Sequence, residues 1–256
     1  MQELITSEKS VLLECLGITK VFNVDGKMTE AVSDASFKVH SRDMLLLYGP
    51  QGSGRSTLFA MMMGLMAPDI GEVLLKGESI YNLSERERNF VRMRRIGIVP
   101  SKHLFIKGLN VEQNLILPLI LIGMSRAEAK AKTEQICTEF GLQELLKRPF
   151  RSISSLQQQM VAITRAFLID PWVIFADEPY MGLNTQDANR IMEFLSQINQ
   201  EKKITVIVSL GDVRYISAGK KLLFIHDGRV ESQLQTGNAL DKLKQALLLT
   251  SEQPSA

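Results

Sequence analysis

The chain alternates between short runs that are apolar almost throughout and longer stretches in which apolar residues recur at helical spacing. Residues 44–48, 96–99, 172–176, 204–208 and 221–225 are of the first kind. Such runs suit strands buried on both faces of a parallel sheet. Residues 58–66 read as a helix, as does the stretch carrying Ile191, Phe194, Leu195 and Ile198. Another helix follows Ser154-Ser155, with Val161, Ile163 and Phe167 turned to a core. Strand and helix in alternation predict an α/β fold.

Two departures interrupt this rhythm. Before it, residues 11–21 and 31–39 read as strands separated by the polar turn Asn23-Val24-Asp25-Gly26-Lys27. Residues 72–75 and 78–81 read as short strands around Lys76-Gly77. From Ser101 to about Lys147 helical patterns dominate, with a capping box at Ser125 and Glu128 and a helix stop at Gly141. A second capping box, Ser84 with Glu87, opens a helix carrying Arg86, Arg88, Arg92, Arg94 and Arg95, read as a solvated basic face. Beyond Gly237 the pattern predicts an amphipathic helix (Ala239, Leu240, Leu243, Ala246, Leu247) and a disordered polar tail.

Composition narrows the function classes. The chain has 256 residues, a 45% hydrophobic fraction and a formal net charge of +2. That is ordinary for a soluble protein and gives no electrostatic footprint for nucleic acid. Cys15 and Cys137 lie far apart and read as reduced and buried. The start MQELITSEKS lacks a basic-then-apolar signal pattern. The longest apolar runs, 58–66 and 115–122 (the latter broken by Pro118), are too short to span a bilayer.

One stretch carries chemistry: Leu47-Tyr48-Gly49-Pro50-Gln51-Gly52-Ser53-Gly54-Arg55-Ser56-Thr57. It joins an expected strand to an expected helix, the context a phosphate-binding loop needs. Glycines let the backbone curl so that successive N–H groups face one anion, and the helix adds its positive end. Ser56 has the place and hydroxyl to hold Mg²⁺. The lysine such loops use is here Arg55. A second stretch, Asp177-Glu178-Pro179, ends the apolar run 172–176. Adjacent acids at a strand's carboxyl end are where α/β sheets place ligand chemistry.

Taken with Gln157-Gln158-Gln159, Arg165-Ala166, Gly182-Leu183 and Asp227-Gly228-Arg229, these motifs resemble the ATP-binding subunits of ABC transporters. The branch they look closest to contains lipoprotein-release, macrolide-export and cell-division subunits. The resemblance runs from about Val11 to Val230. It implies a P-loop NTPase (RecA-like) core sheet with an antiparallel β subdomain and an inserted helical subdomain. The ATP-binding domain would cover 1–237, with its core at about 11–100 and 160–235 and the helical subdomain at about 101–159. Residues 238–256 would add the C-terminal helix and tail. It also implies two subunits sandwiching two ATP molecules, beside an integral-membrane permease on the cytoplasmic face of the membrane.

Carried over by position, Phe22 would stack on adenine and residues 49–57 would wrap the phosphates. Ser56 and Asp177 would hold Mg²⁺. Glu178 would polarise the attacking water. Ser154 and Gln157 would meet the partner's nucleotide. Homodimer and heterodimer stay open.

Several positions depart from the family's pattern. Arg55 replaces the lysine, Ser101 a glutamine, Ser155-Leu156 two glycines, Asn184 an aspartate and Leu210 a histidine. An arginine fork is not a compact ammonium. Ser101 is short, and Leu210 can donate no hydrogen bond. Losing one donor to a developing charge costs on the order of 2.7–4 kcal/mol, about 10²–10³ in rate. The residues therefore predict a nucleotide-binding subunit that binds Mg-ATP and hydrolyses it weakly or not at all. A fully active export or lipoprotein-release ATPase, and an interaction module that has lost nucleotide, are the alternatives.

Overall fold

The structure, a computed structural model, describes residues 10–102, 105–218 and 221–235. The expected C-terminal helix and tail lie outside these. A 6-stranded sheet is built from β3 (Met44–Tyr48), β6 (Ile96–Val99), β7 (Val173–Asp177), β8 (Thr205–Leu210), β9 (Lys221–His226) and β10 (Arg229–Gln235). The strand order is β10-β9-β3-β8-β7-β6, and every pairing but that of β10 is parallel. A 4-stranded antiparallel sheet, order β2-β1-β4-β5, combines β1 (Val11–Val24), β2 (Lys27–His40), β4 (Ile70–Leu75) and β5 (Glu78–Ser79).

The parallel strands are apolar on both faces because both faces are covered. Met44, Leu46 and Tyr48 of β3 join one buried cluster, and Leu45 and Leu47 join the other. In β7, Ile174 and Ala176 part from Val173 and Phe175 in the same way. The first cluster holds α3 (Val111–Leu121), α4 (Arg126–Glu139), α5 (Ser155–Phe167) and α6 (Thr185–Lys202) against the sheet. The second holds α1 (Arg55–Met62) and the antiparallel sheet. Both cysteines are buried and free, and burial pushes the Cys137 thiol up to about 12.

Three readings of the sequence need correcting. The first hairpin is tighter than the polar run 23–27 suggests. Asp25 and Gly26 both sit at positive φ, 53° and 81°, so a two-residue turn closes it. Asn23 Oδ1 accepts from the Gly26 amide at 2.9 Å, and the polar flanks pair instead of looping. The expected strand 78–81 stops at Ser79. There Ile80–Asn82 turns as a 3₁₀ segment, and the Tyr81 hydroxyl reaches the carbonyls of Met61 (2.7 Å) and Met66 (2.5 Å).

The basic run on α2 (Glu85–Arg95) is not merely solvated. Arg92 donates to Gly64 O at 2.6 Å and Arg94 to Ile122 O at 2.5 Å. Arg88 and Arg95 lie over Tyr81 and Trp172, at 5.4 Å and 4.7 Å from the ring centroids. The periodicity of α2 shows a polar helix, but the partners of Arg92, Arg94 and Arg95 come from distant segments.

Asn199 of α6 is buried, and its amide group reaches the carbonyls of Arg42 (3.2 Å), Asp43 (3.1 Å) and Ile204 (2.8 Å). It thereby ties α6 to the entry of β3. Asn199→Ala leaves those carbonyls short of donors, and we expect a loss of about 1–3 kcal/mol in chemical denaturation.

Candidate phosphate-binding site

The sheet register brings the site together. Tyr48 pairs with Leu210 and Phe224, and Asp177 with Ser209. The residues that follow, Gly49, Glu178 and Gly211, therefore meet at the carboxyl edge of β3, β7 and β8, where open α/β sheets bind ligands.

The loop after β3 is shaped by glycine. Gly54 has φ 89°, and a side chain there would run into the Ala31 carbonyl. Gly49 is buried, whereas Pro50, Gln51 and Gly52 are exposed. The loop delivers the chain into α1, whose start differs from those of the other helices. Ser84, Asn110, Ser125, Ser154 and Asn184 each cap a helix with a side-chain oxygen. Gly54 caps α1 with none, and the first turn of α1 carries no acid. Its leading amides and positive dipole end are left for another acceptor. Ser53 Oγ and Arg55 Nε are also buried without a hydrogen-bond partner. An anion in this cradle would take up the uncapped leading amides of α1, so the residues fit a phosphate group.

Arg55 closes one end of the cradle. Its Nη1 donates to the carbonyls of Gly49 and Leu210, the latter at 2.7 Å. Its Nη2 makes an ion pair with Glu178 Oε1. Both side chains are largely buried, 13% and 14% exposed, so solvent screens the pair little. Glu178 has a left-handed backbone, φ 42°, and its amide donates to Ser209 Oγ at 3.0 Å. That hydroxyl in turn donates to Asp177 Oδ1 at 2.5 Å. One serine thus holds the Asp177 carboxylate and the Glu178 backbone. Beside them the Gly211 amide donates to the Tyr180 hydroxyl oxygen at 2.8 Å. Burial pushes the Tyr180 pKa up to about 12, so this phenol stays neutral.

Of the expected site residues, Gly49, Arg55, Asp177 and Glu178 are brought together, with Ser56 and Thr57 at the start of α1. Phe22 lies near the end of β1, half-buried, with the Lys20 ammonium 5.8 Å from its ring centroid. Ser154 and Gln157 form a capping box at the exposed start of α5. No hydrogen bond among the described residues joins these three to the loop.

The departing residues have structural places. Ser101 lines a cavity of about 700 Å³. Leu156 packs on the core, and Asn184 caps α6. The Leu210 side chain is buried, and only its carbonyl meets Arg55. Sequence reading missed Ser209, Tyr180 and Gly211. A lone hydroxyl in the otherwise apolar run 206–210 is the signal that points to Ser209.

A family model described as ABC transporter matches residues 32–181. An uncharacterised ABC transporter ATP-binding protein of Thermotoga maritima is 31% identical over 220 residues, 86% of this chain and 94% of that protein. This chain belongs to the ABC transporter ATP-binding family. The putative hemin import ATP-binding protein HrtA of Staphylococcus haemolyticus is 31% identical over 219 residues, 86% of this chain and 99% of its own. The bacitracin export ATP-binding protein BceA of Halalkalibacterium halodurans is 27% identical, covering 89% and 90%. Among solved structures, the ATP-binding cassette MJ0796, as a post-hydrolysis dimer bound to ADP and Pi, superposes with TM-score 0.79 at 27% identity. It covers 88% of this chain and 99% of its own. CbiO1 of Clostridium perfringens, TM-score 0.82 at 23% identity over 96% and 97%, shares the fold.

Ser209→Ala would strand the Glu178 amide and free the Asp177 carboxylate. We expect a loss of about 1–3 kcal/mol in urea unfolding. An unchanged midpoint would show that Ser209 does not hold this edge.

Proposed function

We propose that this ABC family chain is a nucleotide-binding subunit that binds Mg-ATP and turns it over slowly. The single observation that carries the second half is the engagement of Arg55. Its fork is taken up by Glu178 and two backbone carbonyls rather than left open toward a ligand. Binding draws on other groups: the uncapped start of α1, the buried Ser53 hydroxyl and the loop amides. Ser56 and Asp177 would hold Mg²⁺, an oxygen pair suited to a hard cation that keeps phosphate and water as its other ligands. The cation would neutralise charge on the outer phosphates.

Glu178 would orient a water, and its carboxylate has to leave Arg55 to do so. Ser101 offers a short hydroxyl, and Leu210 offers only a carbonyl that is already occupied. Bond breaking would then proceed with fewer preorganised donors than the chemistry uses elsewhere. Each missing donor lowers the rate by about 10²–10³, with losses that overlap in residues acting as a unit.

Phe22 would support the base, and Ser154 and Gln157 would face a second subunit's nucleotide from the exposed start of α5. The helices within 101–159 form the surface proposed for a membrane permease, the core being 11–100 and 160–235. None of the described helices is long and apolar enough to cross a membrane, so the bilayer-spanning work would fall to that partner. The family relationship supports a membrane-peripheral place, on the cytoplasmic face in this reading.

The intact Asp177-Glu178 pair, tied to Ser209 through the Asp177 carboxylate and the Glu178 backbone, favours a second reading as an active ATPase. Phosphate release decides between them. We expect turnover at least about 10²-fold below the usual enzyme range of 1–10³ s⁻¹, alone and with the permease. Turnover of about 1 s⁻¹ or faster would establish the second reading.

A further inference from the structure

Among the described residues three hairpins close on the same two-residue turn, Asp25-Gly26, Lys76-Gly77 and Asp227-Gly228, with positive φ at both positions. Two of these glycines stand in the open. A Cβ at Gly26 or Gly77 would meet nothing within 4 Å. Gly228, between β9 and β10, is buried. A Cβ there would lie 3.1 Å from the Ala31 carbonyl oxygen and 3.2 Å from that of Glu30. Hairpin closure alone does not ask for this crowding, as the other two turns show.

We propose that Gly228 is a positioning residue for the phosphate loop, holding from outside the amides that would meet a nucleotide. This rests on the nucleotide-binding reading and adds a residue to it. The Gly228 amide donates to the Ser53 carbonyl at 3.0 Å, and the Gly228 carbonyl accepts from the Ser33 amide of β2 at 2.8 Å. One residue thus bridges the loop and the antiparallel sheet. Gly54 packs into the same junction. A Cβ on it would lie 1.9 Å from the Ala31 oxygen and 3.4 Å from the Gly228 Cα. Loop, strand and hairpin meet there backbone to backbone.

A trans peptide is planar, with its C=O and N–H pointing in opposite directions. The hydrogen bond from Gly228 fixes the Ser53 carbonyl, and with it the plane of the Ser53–Gly54 peptide. The Gly54 N–H is thereby turned away from the hairpin, into the row of N–H groups that a phosphate loop presents to its anion. A side chain at 228 would push the tip off β2 and release that carbonyl. The amide would lose its aim while the hairpin's own pairing, His226 with Arg229, persists.

Calorimetry on the full chain, with a non-hydrolysable Mg-ATP analogue, compares wild type, Gly228→Ala and Gly77→Ala, each checked for folding by its melting transition. Both substitutions put alanine at a left-handed position, and only the first reaches the loop. Misaiming an amide that meets a charged phosphate should weaken binding about tenfold in Gly228→Ala. Gly77→Ala should stay within about twofold of wild type. Equal losses in the two variants, or none in Gly228→Ala, would overturn the proposal.

Hydrogen exchange on wild type decides the matter if Gly228→Ala does not fold. The analogue should slow exchange of the Gly228 amide at least about threefold, because that amide opens with the loop it is bonded to. Unchanged exchange there, with the leading amides of α1 protected, would overturn the role of Gly228. Failure of wild type to bind the analogue would instead overturn the nucleotide-binding reading itself, and the role of Gly228 would fall with it.

Discussion

A buried arginine must be answered by acceptors, and the carboxyl edge of the central sheet is arranged around that demand. Arg55 projects from the first residue of α1 into the gap where β3, β7 and β8 end. Each of those strands supplies it a partner: Gly49 after β3, Glu178 after β7, Leu210 at the end of β8. A lysine presents a compact ammonium on a flexible stem and lacks the rigid planar fork that spans these acceptors. The arginine turns the floor of the loop into a cross-strand clamp. In doing so it ties the residue that would contact phosphate to the residue that would activate water.

The clamp works only because the strands are in register. Parallel pairing sets Asp177 beside Ser209 and Tyr48 beside Leu210. A slip of one residue would turn each of these to the opposite face and exchange its neighbours. Burial on both sides makes such a slip costly, since alternate residues of β3, β7 and β8 fill two separate apolar clusters. The core thereby fixes the chemistry at its edge. Ser209 is where the two meet: a hydroxyl inside a buried strand, whose two hydrogen bonds hold the Asp177 carboxylate and the Glu178 backbone.

The contrast among helix starts follows from the same accounting of backbone groups. Five helices satisfy their leading amides with their own serine or asparagine side chains, while α1 enters from a glycine and satisfies none in this way. Open donors at one helix end cost stability that a bound anion returns. In the proposed function a nucleotide's phosphates would supply that anion.

Much of this was legible in the residues alone. Apolar runs marked the parallel strands, and serine–glutamate spacing marked the starts of α2 and α4. Glycine spacing marked the loop, and Asp177-Glu178 marked the acids. These are local properties: a few neighbours along the chain determine them. Tertiary structure decided what the marked groups touch. Arg55 meets Glu178 across 123 residues of sequence and Leu210 across 155, and no spacing rule relates such pairs. The arginines of α2 look solvated in a helical projection, yet distant carbonyls and rings take them up. The sequence by itself determined an α/β chain with a phosphate loop and a pair of acids; only the folded sheet, by bringing three strand ends to one guanidinium, decided that the loop and the acid hold each other.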